Sequence, residues 1–220
     1  MVRYLGPASV GSLVVGAHPE VVLGEGEVDA VVVGSGMATP LGSRGEARVL
    51  KAFALQVPCV VDAAAIDLAD HGHSRSILTP HSGELARTYL RLSGRAPVDD
   101  LSAALELAQM LGVTILVKGS DTRVVNERGL VWELPRATPW LATAGTGDVL
   151  AGIVGALLAG SSEELLADPR GFGEVAAAGA LLHVLAAQEA SSARGGGPIT
   201  ASDVADHVAP VVGRVLAASS

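Results

Sequence analysis

VTILVKGSDTRVVNERGLVWEL, residues 113–134, opens with five residues of unbroken strand character and then stops at a lysine. A strand that is nearly continuous in apolar residues, with no alternation, has both faces covered, as in a parallel sheet with helices on either side. Beyond Lys118, two short β-like runs flank Asn126, Glu127, Arg128 and Gly129, which is a hairpin signal.

The same pattern recurs upstream. Residues 31–33, 57–61 and 76–79 are short β-rich runs. Between them lie helical candidates at 45–56, 83–92 and 98–111. In the last, Leu101, Leu105, Ala108 and Leu111 share one face and Gly112 supplies the stop. Downstream come an apolar stretch at 142–160, an Ala-rich helix at 174–190, a loop at 191–198 and a terminal helix at 201–217. No internal repeat and no linker divides the chain. The expectation is one α/β domain over residues 1–220, a three-layer α-β-α arrangement with a mostly parallel central sheet.

Hydrophobic residues make up 49% of the 220 residues and aromatics only 3%, so the core must be built from Ala, Val and Leu. A net charge of −8 argues against a nucleic-acid surface, which needs a basic stripe. The lone cysteine, Cys59, has no internal disulfide partner and sits in the apolar run VPCVVDA, where a core role is expected. The first residues lack a basic region followed by a continuous apolar segment, and no run reaches the roughly 18 apolar residues of a membrane span. The expectations are therefore a cytoplasmic protein, no membrane and no nucleic acid.

Ligands of such sheets gather beyond the carboxyl ends of the strands. Five segments put polar residues there: Gly34-Ser35-Gly36, Asp62, the run from Thr79 to Glu84, the run from Lys118 to Thr122, and Ala144-Gly145-Thr146-Gly147-Asp148. In the fifth, Gly145 and Gly147 lack Cβ atoms, so backbone N–H groups can close on an anion at a helix start. Asp148 is open to two readings, a carboxylate that offsets the helix dipole or a general base beside a bound phosphate. Lys118 is either a solvated strand end or a point charge for phosphate. His81 is either an exposed residue at a helix start or a group facing the cleft, with Glu84 then in a water-mediated magnesium network. His18, His71, His73, His183 and His207 read as surface or helix residues. His71-Gly72-His73 lacks further ligands at metal spacing, so no zinc site is expected.

Taken together, VVVGSGM, VPCVVDAAAI, SILTPHSGEL, TILVKGSDTRVV and LATAGTGDVLAGIVGALLAG resemble the ADP/ATP-dependent NAD(P)H-hydrate dehydratases of the ribokinase superfamily. The resemblance implies a ribokinase-like fold and repair of hydrated NADH or NADPH. The ring hydroxyl is phosphorylated by ADP or ATP and then eliminated. It implies Asp148 as the catalytic base and the N–H groups of Gly145, Thr146 and Gly147 as an anion hole. Lys118, Gly119, Ser120, Asp121, Thr122 and Gly147 match nucleotide-binding positions. Gly36, His81 and Asp148 match positions facing the hydrate. Mg2+ would accompany the nucleotide, with Glu84 reaching it through water.

Three departures bear on the resemblance. The family opens with a glycine-ended strand and an Ala-rich helix, whereas Met1 to Tyr4 resemble the strand that follows, so the expectation is of a domain short by on the order of 50 residues relative to the family. Ala64 stands where the family commonly has a second Asp, and Ala38 where it has a glycine. A small-molecule kinase of the same superfamily, acting on a hydroxymethyl or sugar alcohol, and a non-catalytic nucleotide-binding subunit are the alternatives. Self-association through the incomplete sheet is a further expectation.

Overall fold

A computed structural model describes residues 1–168 and 170–218. The expected span of 1–220 thus includes Pro169, Ser219 and Ser220, which lie outside the described residues. Six strands form the main sheet: β3 (Val31–Val33), β4 (Cys59–Val61), β5 (Ser76–Leu78), β6 (Thr114–Val117), β7 (Arg123–Val125) and β8 (Val131–Glu133). They lie side by side in chain order. The first four are parallel, with Val31 opposite Cys59 and Cys59 opposite Ser76. The last two turn back as the expected hairpin, Val124 pairing with Leu116 on one side and Trp132 on the other.

Successive strand residues feed opposite layers. Cys59, Val61, Leu78, Ile115 and Val117 point into one core with Val49, Phe53, Leu85 and Leu107. Val60, Ile77, Leu116 and Val124 point into the other with Leu150, Val154, Leu158 and Ala180. That two-sided burial is why these strands carry no polar alternation. The first core is roofed by α2 (Ser43–Ala54), α3 (Ser82–Ser93), α4 (Asp100–Leu111) and a 3-10 segment (Ala63–His71). The second is roofed by α5 (Thr146–Gly160) and α7 (Gly171–Ala193), with the short α6 (Ser162–Ala167) between them. The C-terminal α8 (Ala201–Ala218) packs on α7 around Ala186, Ala187, Ala190, Val204 and Val211.

Local chemistry sets the ends. Asp99 caps α4 by accepting from the Ser102 N–H at 2.9 Å, so the helix begins after Val98, later than its apolar pattern suggested. The 57–61 run shortens to Cys59–Val61. The first residues form a small unit: β1 (Arg3–Tyr4) and β2 (Val22–Leu23) pair in parallel around α1 (Ala8–Ala17), as a two-stranded sheet apart from the main one. Neither α1 nor the 3-10 segment was legible as an element in the sequence.

At 23 residues, α7 is long and apolar enough by length and composition to cross a membrane, although Glu174, His183, Gln188 and Glu189 interrupt its apolar run. Half of its most apolar window is buried, against α5 and α8 among others. Cys59 is a core residue as expected. It is fully buried, and burial pushes its thiol up to about 12, outside the range of a working nucleophile.

Candidate active site

The carboxyl ends of β3, β4, β5 and β6 meet at Asp62. This carboxylate, 2% exposed, accepts three hydrogen bonds, each from a different strand end. They come from Ser35 Oγ at 2.8 Å, Thr79 Oγ1 at 2.7 Å and Lys118 Nζ at 2.7 Å. The backbones converge closely here. A Cβ on Gly34 would lie 1.8 Å from the Asp62 carbonyl oxygen, and Gly34 has φ +108°, so only glycine serves. Burial alone would raise the Asp62 pKa. The Lys118 charge and the hydrogen bonds from Lys118, Thr79 and Ser35 outweigh that and hold it below the usual carboxylate value.

Lys118 is the bridge from this cluster to the start of α5. Its side chain is one-fifth exposed, and its ammonium also lies 3.9 Å from Glu84 Oε2. A Cβ on Gly147 would stand 3.6 Å from Nζ, so the lysine borders the first turn of the helix. Gly145 takes the left-handed conformation, φ +88°, that turns the chain into that helix. First-turn N–H groups lack intrahelical acceptors and carry the positive end of the dipole. Lys118 adds a positive charge beside that helix start, an arrangement of the kind that suits an anion. Of the three N–H groups expected to line an anion hole there, that of Thr146 is directed to the Thr143 carbonyl at 3.3 Å. The Thr146 hydroxyl donates to the carbonyls of Leu141 and Thr143, both at 2.8 Å, so its side chain staples the turn.

Asp148 lies in the first turn of α5 and is exposed toward this space. Partial burial and the Asp62 charge raise its pKa, opposed by Lys118 and by a hydrogen bond from Ser35. Two carboxylates of opposite tendency thus sit in one cluster, one held ionised and buried, the other with an increased proton affinity.

His81 and Glu84 form a reciprocal cap on α3. The imidazole Nδ1 accepts from the N–H groups of Gly83 at 3.0 Å and Glu84 at 3.3 Å, while Glu84 Oε2 accepts from the His81 N–H at 2.9 Å. The helix-start reading of His81 is therefore present, with its ring 58% exposed beside the site. Among the described residues no group of three or more His, Cys, Asp or Glu side chains is placed to hold a metal ion. Glu84 alone fits a water-mediated contact to a magnesium ion that arrives on nucleotide phosphates, since Mg2+ keeps several waters and takes few protein ligands.

After Lys118 the chain makes a tight turn. Thr122 Oγ1 donates to the Gly119 carbonyl at 3.0 Å, Ser120 Oγ donates to Asp121, and Asp121 pairs with Arg136 at 3.3 Å. The turn borders a cavity of about 190 Å³ lined by Ser82, Asp100, Leu101, Lys118, Gly119 and Ser120, among others. Gly36, at the end of β3, adopts φ +70° and faces open space. Ala64 is 1% exposed in the 3-10 segment, and so belongs to the core.

His183 lies on a helix, one of the two expected placings, but on the covered side of it. It is 7% exposed on α7, and its Nε2 is buried without a hydrogen-bond partner. Burial pushes the imidazole down to about 4; the Thr146 backbone opposes that shift by hydrogen bonding, and the Lys118 charge adds to it. Packing places it directly behind the anion-binding turn. One helical turn earlier, a Cβ on Gly179 would meet Val154 at 2.7 Å, and the following turn, Ala186 and Ala187, clusters with Leu141 and Val149. Ser35, Asp62 and Thr79 lie in the segments read from the sequence as polar strand ends, but no role was assigned to any of them there. A lone histidine in the Ala-rich 174–190 stretch was the only signal for His183.

The family model described as NAD(P)H-hydrate dehydratase matches residues 11–209. A bifunctional NAD(P)H-hydrate repair enzyme from Mycobacterium tuberculosis is 42% identical over 173 residues, which cover 72% of this chain and 35% of that protein. The chain thus spans about a third of the length of such bifunctional relatives. An ADP-dependent (S)-NAD(P)H-hydrate dehydratase from Neisseria meningitidis is 30% identical over 213 residues, covering 90% of this chain and 68% of the relative. Among solved structures, the ADP/ATP-dependent NAD(P)H-hydrate dehydratase from Bacillus subtilis, co-crystallised with ATP/Mg2+, superposes with a TM-score of 0.73 at 25% identity, covering 94% of this chain and 76% of that one. The layering is also that of ribokinase-like folds.

Proposed function

The chain belongs to the NAD(P)H-hydrate dehydratase family, and from that premise we propose that it dehydrates hydrated NADH and NADPH at the expense of ADP or ATP. The observation that carries the reading is the juxtaposition of Asp148, the glycine-lined start of α5 and Lys118 at one end of the sheet.

Asp148 takes the proton from the ring hydroxyl as its oxygen bonds to the terminal phosphorus of the nucleotide and the bond from that phosphorus to the departing AMP or ADP breaks. An increased proton affinity suits a carboxylate that must accept a proton near neutral pH. The N–H groups at the start of α5 and the Lys118 ammonium hold the transferring phosphoryl, whose charge they balance. The phosphate then leaves with its C–O electron pair as a ring proton is lost. The net result is NAD(P)H, phosphate and AMP or ADP. Lys118 to Thr122 and Gly147 bind the nucleotide, and Gly36 and His81 face the hydrate. Glu84 would reach magnesium through water; that ion, when bound, offsets phosphate charge.

The test is direct. Incubated with hydrated NADH, magnesium and ADP or ATP, the chain should restore the absorbance of reduced nicotinamide. No recovery by a chain that still binds nucleotide would exclude the dehydratase reading, and ATP consumption with a hydroxymethyl substrate in its place would identify a kinase.

A further inference from the structure

We propose that Asp62 is a positioning residue, whose buried carboxylate fixes the Lys118 ammonium at the mouth of the anion-binding turn. This rests on the reading of that turn as the phosphoryl site.

Lys118 has two carboxylate neighbours, Asp62 at 2.7 Å and Glu84 at 3.9 Å. A flexible four-carbon stem ending in a point charge has no inherent preference between them. Asp62 decides the matter because it cannot itself move. It is anchored by the Ser35 and Thr79 hydroxyls and follows directly on β4, so its position is inherited from three adjacent strand ends. The lysine it holds is the one that borders Gly147. Asp62 reaches the start of α5 through Lys118, which it holds and which borders Gly147.

The same carboxylate has a second consequence. The charged and hydrogen-bonding groups that act on Asp148 are Asp62 after β4, Lys118 after β6 and Ser35 after β3. Beside burial, Asp62 is the one among them that increases the proton affinity of Asp148. Removing its charge should therefore shift the acid limb of the pH–rate profile to lower pH, because Asp148 then gives up its proton more readily.

The experiment compares Asp62→Asn with Thr79→Val, which removes one hydrogen bond to Asp62 and keeps its charge. Nucleotide affinity is measured by calorimetry and the Asp148 titration by carboxyl 13C NMR, so neither readout needs turnover. An inactive unmodified chain would overturn the dehydratase reading and leave this test standing. Asp62→Asn should weaken nucleotide binding on the order of tenfold and move the Asp148 titration, with the acid limb of activity, down by about half a pH unit. Thr79→Val should lose comparable thermal stability and change both much less, because the charge of Asp62 and its Ser35 anchor remain. Unchanged or tighter nucleotide binding in Asp62→Asn, an unmoved titration, or the same changes in Thr79→Val would overturn the proposal. Should Asp62→Asn fail to fold, the unmodified protein decides. Asp148 should titrate above the ordinary aspartate value and Asp62 below it, and the reverse order overturns the proposal.

Discussion

The side chains at the strand ends differ in what they can tolerate. Asp148 stands in an exposed first turn and can be changed without disturbing the sheet. Asp148→Asn should lower turnover by about 10²–10⁴-fold, the usual worth of a general base, while nucleotide affinity and thermal stability hold. Activity near that of the unmodified chain would remove Asp148 from the base role. Because its pKa is raised, the sign of the pH dependence follows. The base is competent above the raised value, and activity falls as pH drops through it, at a higher pH than an ordinary aspartate would give. A rate profile flat down to the ordinary carboxylate range would contradict this.

At the scale of an element, α3 shows how one residue can serve two ends. His81 caps the helix through Nδ1 and so presents only the rest of its ring to the site. Loss of the cap and loss of a substrate contact are separable. His81→Ala should cost about 1 kcal/mol of stability, and His81→Asp, a good cap, should restore it. If His81 faces the hydrate, both variants should raise KM for the hydrate. Denaturant unfolding and steady-state kinetics on the pair check this, and an unchanged KM in both would confine His81 to capping. The α5–α7 pair answers to packing. A Cβ on Gly155 would meet Val32 Cγ2 at 2.3 Å, and one on Gly179 would meet Val154 at 2.7 Å. The small residues of both helices let them lie close on the sheet and on each other, which brings His183 up behind the phosphate turn.

For the molecule as a whole, the buried titratable groups set how folding responds to acid. His183 is held near 4 in the fold against an ordinary value of 6.5. The unfolded chain therefore binds a proton that the folded chain refuses. The stability from keeping this ring neutral is fully present above pH 6.5 and is lost progressively as pH falls from 6.5 toward 4. Asp62, held below 3.8, contributes stability above that value which is lost only in stronger acid, as pH falls through its lowered pKa. The melting temperature should accordingly begin to fall below about pH 6.5, before carboxylates titrate. In His183→Leu that first decline should flatten while the decline below pH 4 remains. An equally steep early decline in the variant would assign it to another group.

The sequence by itself determined the layers. Strands with no polar alternation require cover on both faces, and that requirement is local and periodic, so it can be read from 113–117 or 57–61 directly. The glycines and carboxylate of 144–148 raised the expectation of an anion site in the same local way, since backbone approach and helix dipole are properties of a short stretch. The ranges of α2, α3 and α8 were legible within a few residues, whereas the α1 unit and the 3-10 segment carried no clear period. Tertiary structure alone decided which polar residues act together. Asp62 lies 56 positions from Lys118, and its partners Ser35 and Thr79 are 27 and 17 positions away. Only the parallel register of four strands brings them to one point. The sequence left His183 as either a surface or a helix residue, because helical periodicity in an Ala-rich segment does not say which face is covered, and the packing of α5 against α7 supplied that answer. Charge proximity and burial set the proton affinities of Asp62, Asp148 and His183. Both are properties of groups distant in the chain and near in space, and no local pattern encodes them.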